Sequence, residues 1–339
     1  MKHRLAALAI FAAVAGATPA SASFHFFDIQ QLFSTADGEV QFVVLRETAG
    51  ANGEDQLAGH TLTASHAGVT KLFTFPTDLP SSATANRSVL IATQGYVALR
   101  GSAAGAGLPA PDYVLPNRFL PTDGGTVNYA SVDVLQYGAL PSDGSTAVFR
   151  GNTTAANQPV NFAGASGTVP VVPVTSVEFQ NATLDHYFQS SLAPDIDALD
   201  SGRIAGWTRT GESFRVMPVA SSTPAPFLPV CRFYIPPQHG DSHFFSAWDV
   251  ECNRIVQLTA TDPNYSGYVH ETASAFFAVL PDLVSGACPA GTRPAYRLWN
   301  HRADSNHRFT VSTTIKAQMV ARGYVPEGFG PDGVAMCVL

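Results

Sequence analysis

A chain of 339 residues is long enough for two domains of ordinary size, and its 45% hydrophobic content supports buried cores. A formal charge of −7, with Lys71 and Lys316 as the only lysines beyond the first few residues, argues against nucleic acid or an anionic membrane as partner. Charged residues make up only 13%, about half the usual share; Ser, Thr, Asn and Gln carry the polarity, which suits β-rich exported domains.

Lys2, His3 and Arg4 form a basic start. An apolar run over residues 5–15 follows, and Ala20-Ser21-Ala22 supplies the small residues of a signal-peptidase site. Residues 1–22 are thus expected to be a cleaved signal peptide, and the mature chain to be secreted or periplasmic. No segment is long and apolar enough to predict membrane insertion as a helix.

Residues 24–150 read as short strands between turns, with the clearest strands at 40–45, 72–75, 89–93 and 147–149. Asp37-Gly38, Asn52-Gly53, Asp123-Gly124 and Asp143-Gly144 mark turns, because glycine after Asx accepts positive φ. With no long helical period, this pattern predicts a β-sandwich. Residues 151–175 alternate Asn, Ala, Gly, Pro and Val almost without charge and are expected to be an extended linker. That stretch lacks the like charge that would keep it off a domain surface.

From residue 176 on, three segments align. Val177-Glu178-Phe179 with Asp185-His186-Tyr187-Phe188 matches Cys231-Arg232-Phe233-Tyr234 with Ser242-His243-Phe244-Phe245. Both match Tyr296-Arg297-Leu298-Trp299 with Asn306-His307-Arg308-Phe309. Gly206-Trp207, Gly267-Tyr268-Val269-His270-Glu271 and Gly323-Tyr324-Val325-Pro326-Glu327 then correspond. Between these elements Ile196 and Leu199, then Cys252, Ile255 and Val256, then Ile315 and Met319 fall on one face of a short helix. Ser190, Ser246 and Thr310 stand near the expected N-caps, Asp195 and Glu251 in the first turns, and Gly202 and Gly323 at the stops. The unit is strand, strand, short helix, strand, repeated at about 176–220, 230–281 and 288–339. One unit is too small to bury its own apolar face, so closure about a pseudo-threefold axis, propeller- or trefoil-like, is expected. Outside a reducing cytosol, four cysteines imply two disulfides. Of the three pairings, Cys231 with Cys252 and Cys288 with Cys337 keep each bridge within one repeat.

The three-copy pattern resembles a repeat family of secreted bacterial and fungal proteins, of the form Y-R-L-Y-N, N-H-F-Y-T, G-Y-x-x-E-G, over residues 176–339. The resemblance implies an accessory for targeting or binding and carries no activity. The first copy departs from it, with Thr210-Gly211 in place of Glu-Gly. The N-terminal region resembles the lamin-tail type of immunoglobulin-like domain. Ile29, Val40-Gln41-Phe42-Val43-Val44-Leu45 and Leu57-Ala58-Gly59-His60-Thr61-Leu62 carry that resemblance, with Phe73-Thr74-Phe75-Pro76 and Val89-Leu90-Ile91-Ala92-Thr93. Val44 stands where that family usually has Glu. Such domains mostly serve attachment.

His186, His243 and His307 are read as three equivalent positions, each holding its turn through a loop carbonyl; ligand contact is the alternative. Trp207, Tyr268 and Tyr324, each after a glycine, with Glu271 and Glu327, are the candidate ligand-binding residues, and Tyr234 and Trp299 are further candidate shelves for a sugar. The loops 239–243 and 301–307 hold ligand-type atoms, but Arg302 and Arg308 beside one of them oppose a metal, so neither a metal nor a cofactor is expected. Catalytic signatures are missing: no Gly-x-Ser-x-Gly, no His-Glu-x-x-His, no phosphate-binding glycine loop. The expected function is non-catalytic binding or adhesion to extracellular glycan or cell-surface material. The alternatives are a secreted hydrolase with an unrecognised site and a structural envelope protein.

Overall fold

The computed structural model describes residues 23–223 and 225–339; the expected signal peptide lies outside the described residues. The protein is mainly β. Its first half carries β1 (Phe27–Ser34), β2 (Gln41–Glu47), β3 (Thr61–His66), β4 (Val69–Thr74), β5 (Ser88–Thr93) and α1 (Gln94–Arg100). β6 (Tyr113–Leu115), β7 (Gly125–Tyr129), β8 (Asp133–Tyr137), β9 (Thr146–Phe149) and β10 (Thr153–Ala156) follow. They form a six-stranded sheet, β10-β9-β1-β2-β5-β6, and a four-stranded one, β4-β3-β7-β8. Ile29, Leu32, Val43, Leu45, Val89 and Ile91 of the first meet Leu62, Ala64, Val127 and Tyr129 of the second in one core. Successive strand residues point to opposite faces, so Phe33, Phe42, Val44, Leu90 and Ala92 face away from that core. Tyr96 of α1, Leu108 and Val169 cover them. Burial on both faces explains the unbroken apolar runs in β2 and β5. All four Asx-Gly turns place their glycine at positive φ, between +70° and +108°.

The uncharged stretch over residues 151–175 lies on this half. Its β10 extends the sheet along β9, and Asn157, Phe162 and Val169 are buried. Asn157 spans the stretch: its side-chain amide accepts from Val169 N at 2.6 Å and donates to Ser145 O at 2.8 Å.

The second half contains three units of one order. Unit 1 is β11 (Val174–Asn181), β12 (His186–Ser190), α2 (Ala193–Asp200) and β13 (Trp207–Val216). Unit 2 is β14 (Leu228–Ile235), β15 (Ser242–Ser246), α3 (Asp249–Thr261) and β16 (Val269–Ala278). Unit 3 is β17 (Arg293–Trp299), β18 (His307–Thr310), α4 (Thr313–Ala321), β19 (Val325–Glu327) and β20 (Val334–Val338). In each, the first strand is central and antiparallel to its neighbours. The last strand bulges in units 1 and 2 and is interrupted in unit 3, where residues 328–333 separate β19 from β20. The units share a core: Phe214 and Val216 from the first, Val230, Phe245 and Phe276 from the second, and Phe309, Met336 and Val338 from the third.

The helix starts differ from expectation in one detail. The N-caps are Leu192, Trp248 and Ser312, not the hydroxyl residues two positions earlier. Ser190, Ser246 and Thr310 instead accept from the N–H of those N-cap residues, at 3.1, 3.0 and 3.1 Å. This short hydroxyl turn steers the chain from strand into helix, which is why a hydroxyl recurs there. Gly202 and Gly323 close α2 and α4 at φ +73° and +96°, as expected of C-terminal stops.

Both disulfides are those that keep the bridge within a repeat. Cys231–Cys252 ties β14 to α3, and Cys288–Cys337 ties the entry of unit 3 to β20. They close 21 and 49 residues of chain, which by loop entropy stabilises the fold by about 3 and about 4 kcal/mol. Replacing each pair with serine should lower stability by these amounts in denaturant unfolding, the longer loop costing more. Equal midpoints for wild type and variants would contradict this.

Candidate functional site

The contacts between units follow one rule, made by charge. Arg297 on β17 is 7% exposed. Its Nη1 and Nη2 donate to the two oxygens of Glu251, on α3 of unit 2, at 2.9 and 2.8 Å, and its Nε donates to Glu327 of its own unit at 3.0 Å. His307 Nε2 lies 3.2 Å from the same Glu327 oxygen. One unit earlier the arrangement repeats. Arg232 on β14 pairs with Asp195 of α2 at 2.6 Å and with Glu271 of its own unit at 2.8 Å, and His243 stands 3.3 Å from Glu271. Each buried guanidinium thus joins the helix of the preceding unit to the last strand of its own.

At the third contact the polarity reverses. Glu178 of unit 1 takes the arginine's position, and Ile315 of α4 takes the helix acid's. Arg308 of unit 3 grips Glu178 in a fork at 2.8 and 2.9 Å, and its guanidinium lies 4.1 Å from the Tyr187 ring.

The strand register revises the equivalence of the three histidines. Tyr187 pairs with Gln180, His243 with Tyr234 and His307 with Trp299, counted back from the aligned hydroxyls Ser190, Ser246 and Thr310. Tyr187 therefore occupies the histidine position in unit 1, and His186 lies one residue earlier. His186 is buried and turns to unit 3, its Nε2 3.2 Å from Asp304 O, which is the loop-carbonyl role expected of all three. His186 also meets the Asp304 carboxylate at 3.4 Å, whereas His243 and His307 face the glutamate of their own unit. β12 has the length and register of β15, so His186-Tyr187-Phe188 imitates His243-Phe244-Phe245 one residue out of step.

Between units 2 and 3 lies a cleft of about 760 Å³. Phe244, Trp248, Tyr265 and Tyr268 of unit 2 and Trp299 of unit 3 supply aromatic walls, with Glu251, Arg297, His307 and Glu327 at the polar floor. It opens here because α3 runs 13 residues against 8 in α2 and 9 in α4, and a 3₁₀ turn (Pro263–Tyr265) extends it. The other helices have different neighbours. Lys71 and Arg118 of the first half bind Asp197 of α2 at 2.9 and 3.2 Å, and Ala193 N donates to Ala36 O at 2.8 Å. In unit 3, Met319 of α4 packs with Tyr187, Leu298 and Tyr324.

The structure separates the five candidate ligand residues. Tyr268 and Glu327 line the cleft. Glu271 holds Arg232 and His243. Trp207 packs edge-on against Phe188 in unit 1, and Tyr324 is buried at 5% exposure between units 3 and 1. Trp299 lies on the cleft, while Tyr234 donates to Asp241 at 2.6 Å outside it. Trp248, Tyr265 and Arg254 of the cleft, and the bridging Arg232 and Arg297, had no place in the sequence reading as site residues. A signal existed for the arginines: the copy that lacks the Glu of Glu-Gly also has Glu178 where the others have Arg.

The two loops rich in His, Asp and Asn act as clamps. Arg302 binds Asp304 at 2.9 Å and Asp185 of unit 1 at 3.0 Å, and Asn306 exchanges two hydrogen bonds with the Tyr187 backbone. Gly240 packs so close that a Cβ there would lie 2.3 Å from Ser305 O. Among the described residues no three His, Cys, Asp or Glu side chains are grouped to hold a metal.

Residues 178–332 match the family described as Domain of unknown function (DUF5648). No curated protein matches the chain.

Burial sets the protonation of the His307–Glu327 pair. Burial pushes His307 below its ordinary 6.5 and outweighs Glu327, which acts to raise it. Burial would raise Glu327, but His307 and Arg297 hold it below 4.5. A neutral ring therefore donates from Nε2 to a carboxylate, and the buried Nδ1 has no partner among the described residues. An unfolded chain takes up the His307 proton as pH falls below 6.5 while the folded one resists, so stability drops; Glu327 adds its own loss only below 4.5. The melting temperature should fall between pH 7 and pH 5, and His307→Gln, which keeps a donor but does not titrate, should flatten that fall. An equally steep fall in the variant would remove His307 as its cause.

Proposed function

We propose that the chain is an extracytoplasmic binding protein that takes up glycan or cell-surface material in the cleft between its second and third repeats. The observation that carries this reading is the grouping of Trp248, Tyr265, Tyr268 and Trp299 around one opening. Beside them the Asn264 side chain and the Tyr265 and Tyr268 hydroxyls have no hydrogen-bond partner among the described residues. Flat aromatic walls with free polar ends suit a pyranose, which offers an apolar face and a rim of hydroxyls. In this reading residues 1–22 direct export, residues 24–150 form an immunoglobulin-like attachment domain of lamin-tail type, and residues 176–339 form a pseudo-threefold repeat module. The two disulfides fit an oxidising compartment, and among the described residues no helix is long and apolar enough to cross a membrane.

The hydrolase alternative draws less support. Acid catalysis on a glycosidic bond needs a carboxyl that keeps its proton near neutral pH. Glu327 is held below its ordinary value, and both Glu251 oxygens are occupied by Arg297. The same set of groups surrounds Arg232 away from the cleft, which marks it as structural.

On a glycan array the secreted chain should bind a subset of oligosaccharides. Calorimetry with the strongest of them should show Trp299→Ala and Tyr265→Ala losing about tenfold or more in affinity, as expected when a central aromatic contact is truncated. Trp207→Ala should lower the melting temperature and leave affinity in place. An array without binding, or full affinity in both cleft variants, would overturn the reading.

A further inference from the structure

We infer that the cleft selects anionic sugars, with Arg254 as the residue that reads their charge. The inference rests on the cleft being a glycan site and adds the class of glycan.

The charges around the opening are almost all committed to partners within the protein. Arg297 is committed to Glu251 and Glu327, and those two acids are committed to Arg297 and His307. Arg302 at the lip is committed to Asp185 and Asp304. Arg254 lines the same cleft and is exposed, and among the described residues no acid, carbonyl or aromatic face engages it. Elsewhere in this acidic chain Arg118, Arg150, Arg209, Arg232, Arg308 and Arg322 sit in ion pairs. The charge left over for a ligand is thus a guanidinium.

Its placement gives the charge a geometry. Val250, Arg254 and Leu258 recur every four residues along α3 and all line the cleft, so one helical stripe presents a cation between two apolar side chains. Trp299 and Tyr268 belong to the surrounding walls. A sugar ring lying against the aromatic walls presents its substituents to that stripe. A ring carboxylate or a sulfate ester there forms charge-assisted hydrogen bonds with the guanidinium fork, and neutral hydroxyls gain less. The floor works against cations as well, because Arg297 already pairs with both acids.

Calorimetry on the secreted chain at low salt, with trigalacturonate, its methyl ester and a sulfated galactose trisaccharide, tests this directly. At least one of the two anionic probes should bind about tenfold or more tightly than the ester, and added salt should reduce the difference. The probe that shows it identifies carboxylate or sulfate. Arg254→Gln should remove the advantage of the anionic probe over the ester and leave the melting temperature unchanged, since the side chain is exposed. Equal binding of ester and anionic probes would overturn the charge selection and leave glycan binding standing. A preference that survives Arg254→Gln would overturn the assignment to this residue, and failure of all three probes to bind would remove the inference together with the glycan reading for these sugars.

Discussion

A guanidinium withdrawn from water must find carboxylates, and two such groups organise the second half of this molecule. Arg232 and Arg297 each reach backward to the helix of the preceding unit and sideways to the last strand of their own. Desolvating a charge costs several kcal/mol, and a partner of poor geometry does not repay it. These links therefore favour one spacing and one order of units. At the third contact the acid stands on the strand and the arginine comes from the neighbour, as Glu178 with Arg308. A unit with Arg at the strand position would put like charges together there. Apolar packing supplies the common core, and the charges state which unit follows which.

The same arrangement explains why this cleft opens between units 2 and 3. In unit 1 the first half of the chain lies on α2, through Lys71, Arg118 and the backbone of Ala36. In unit 3 the flank of α4 is closed by Tyr187 and Tyr324. Unit 2 has neither cover, and its longer helix stands off from unit 3 with aromatic side chains between them. Arg297 secures the base of that gap, so the element that joins the units also shapes the floor of the proposed binding site.

Much of this was legible in sequence, and the limits have physical causes. The strand, strand, helix, strand order follows from hydroxyl turns, helical spacing and glycine stops, all of which are local. Pairing of the cysteines followed from keeping each bridge inside a repeat. His186 misled because its motif sits one residue earlier in β12 than its counterparts in β15 and β18, and a one-residue step in a strand moves every side chain to the other face. Tyr268 and Tyr324 share a motif and differ in fate because neighbours decide: one faces the gap beside α3, the other is covered by unit 1. Trp248 caps α3 and Arg254 lies on it, and the gap they face has no meaning until unit 3 is placed opposite.

The central claim is that Arg297 and Glu251 hold units 2 and 3 in place as a coupled pair. A double-mutant cycle of Arg297→Met and Glu251→Gln, read by equilibrium unfolding of the protein, measures that coupling. Residues joined in one buried network show interaction energies of about 0.5–3 kcal/mol, and this pair should fall in the upper half of that range, with the double variant less destabilised than the sum of the single ones. Additivity within a few tenths of a kcal/mol would contradict the account.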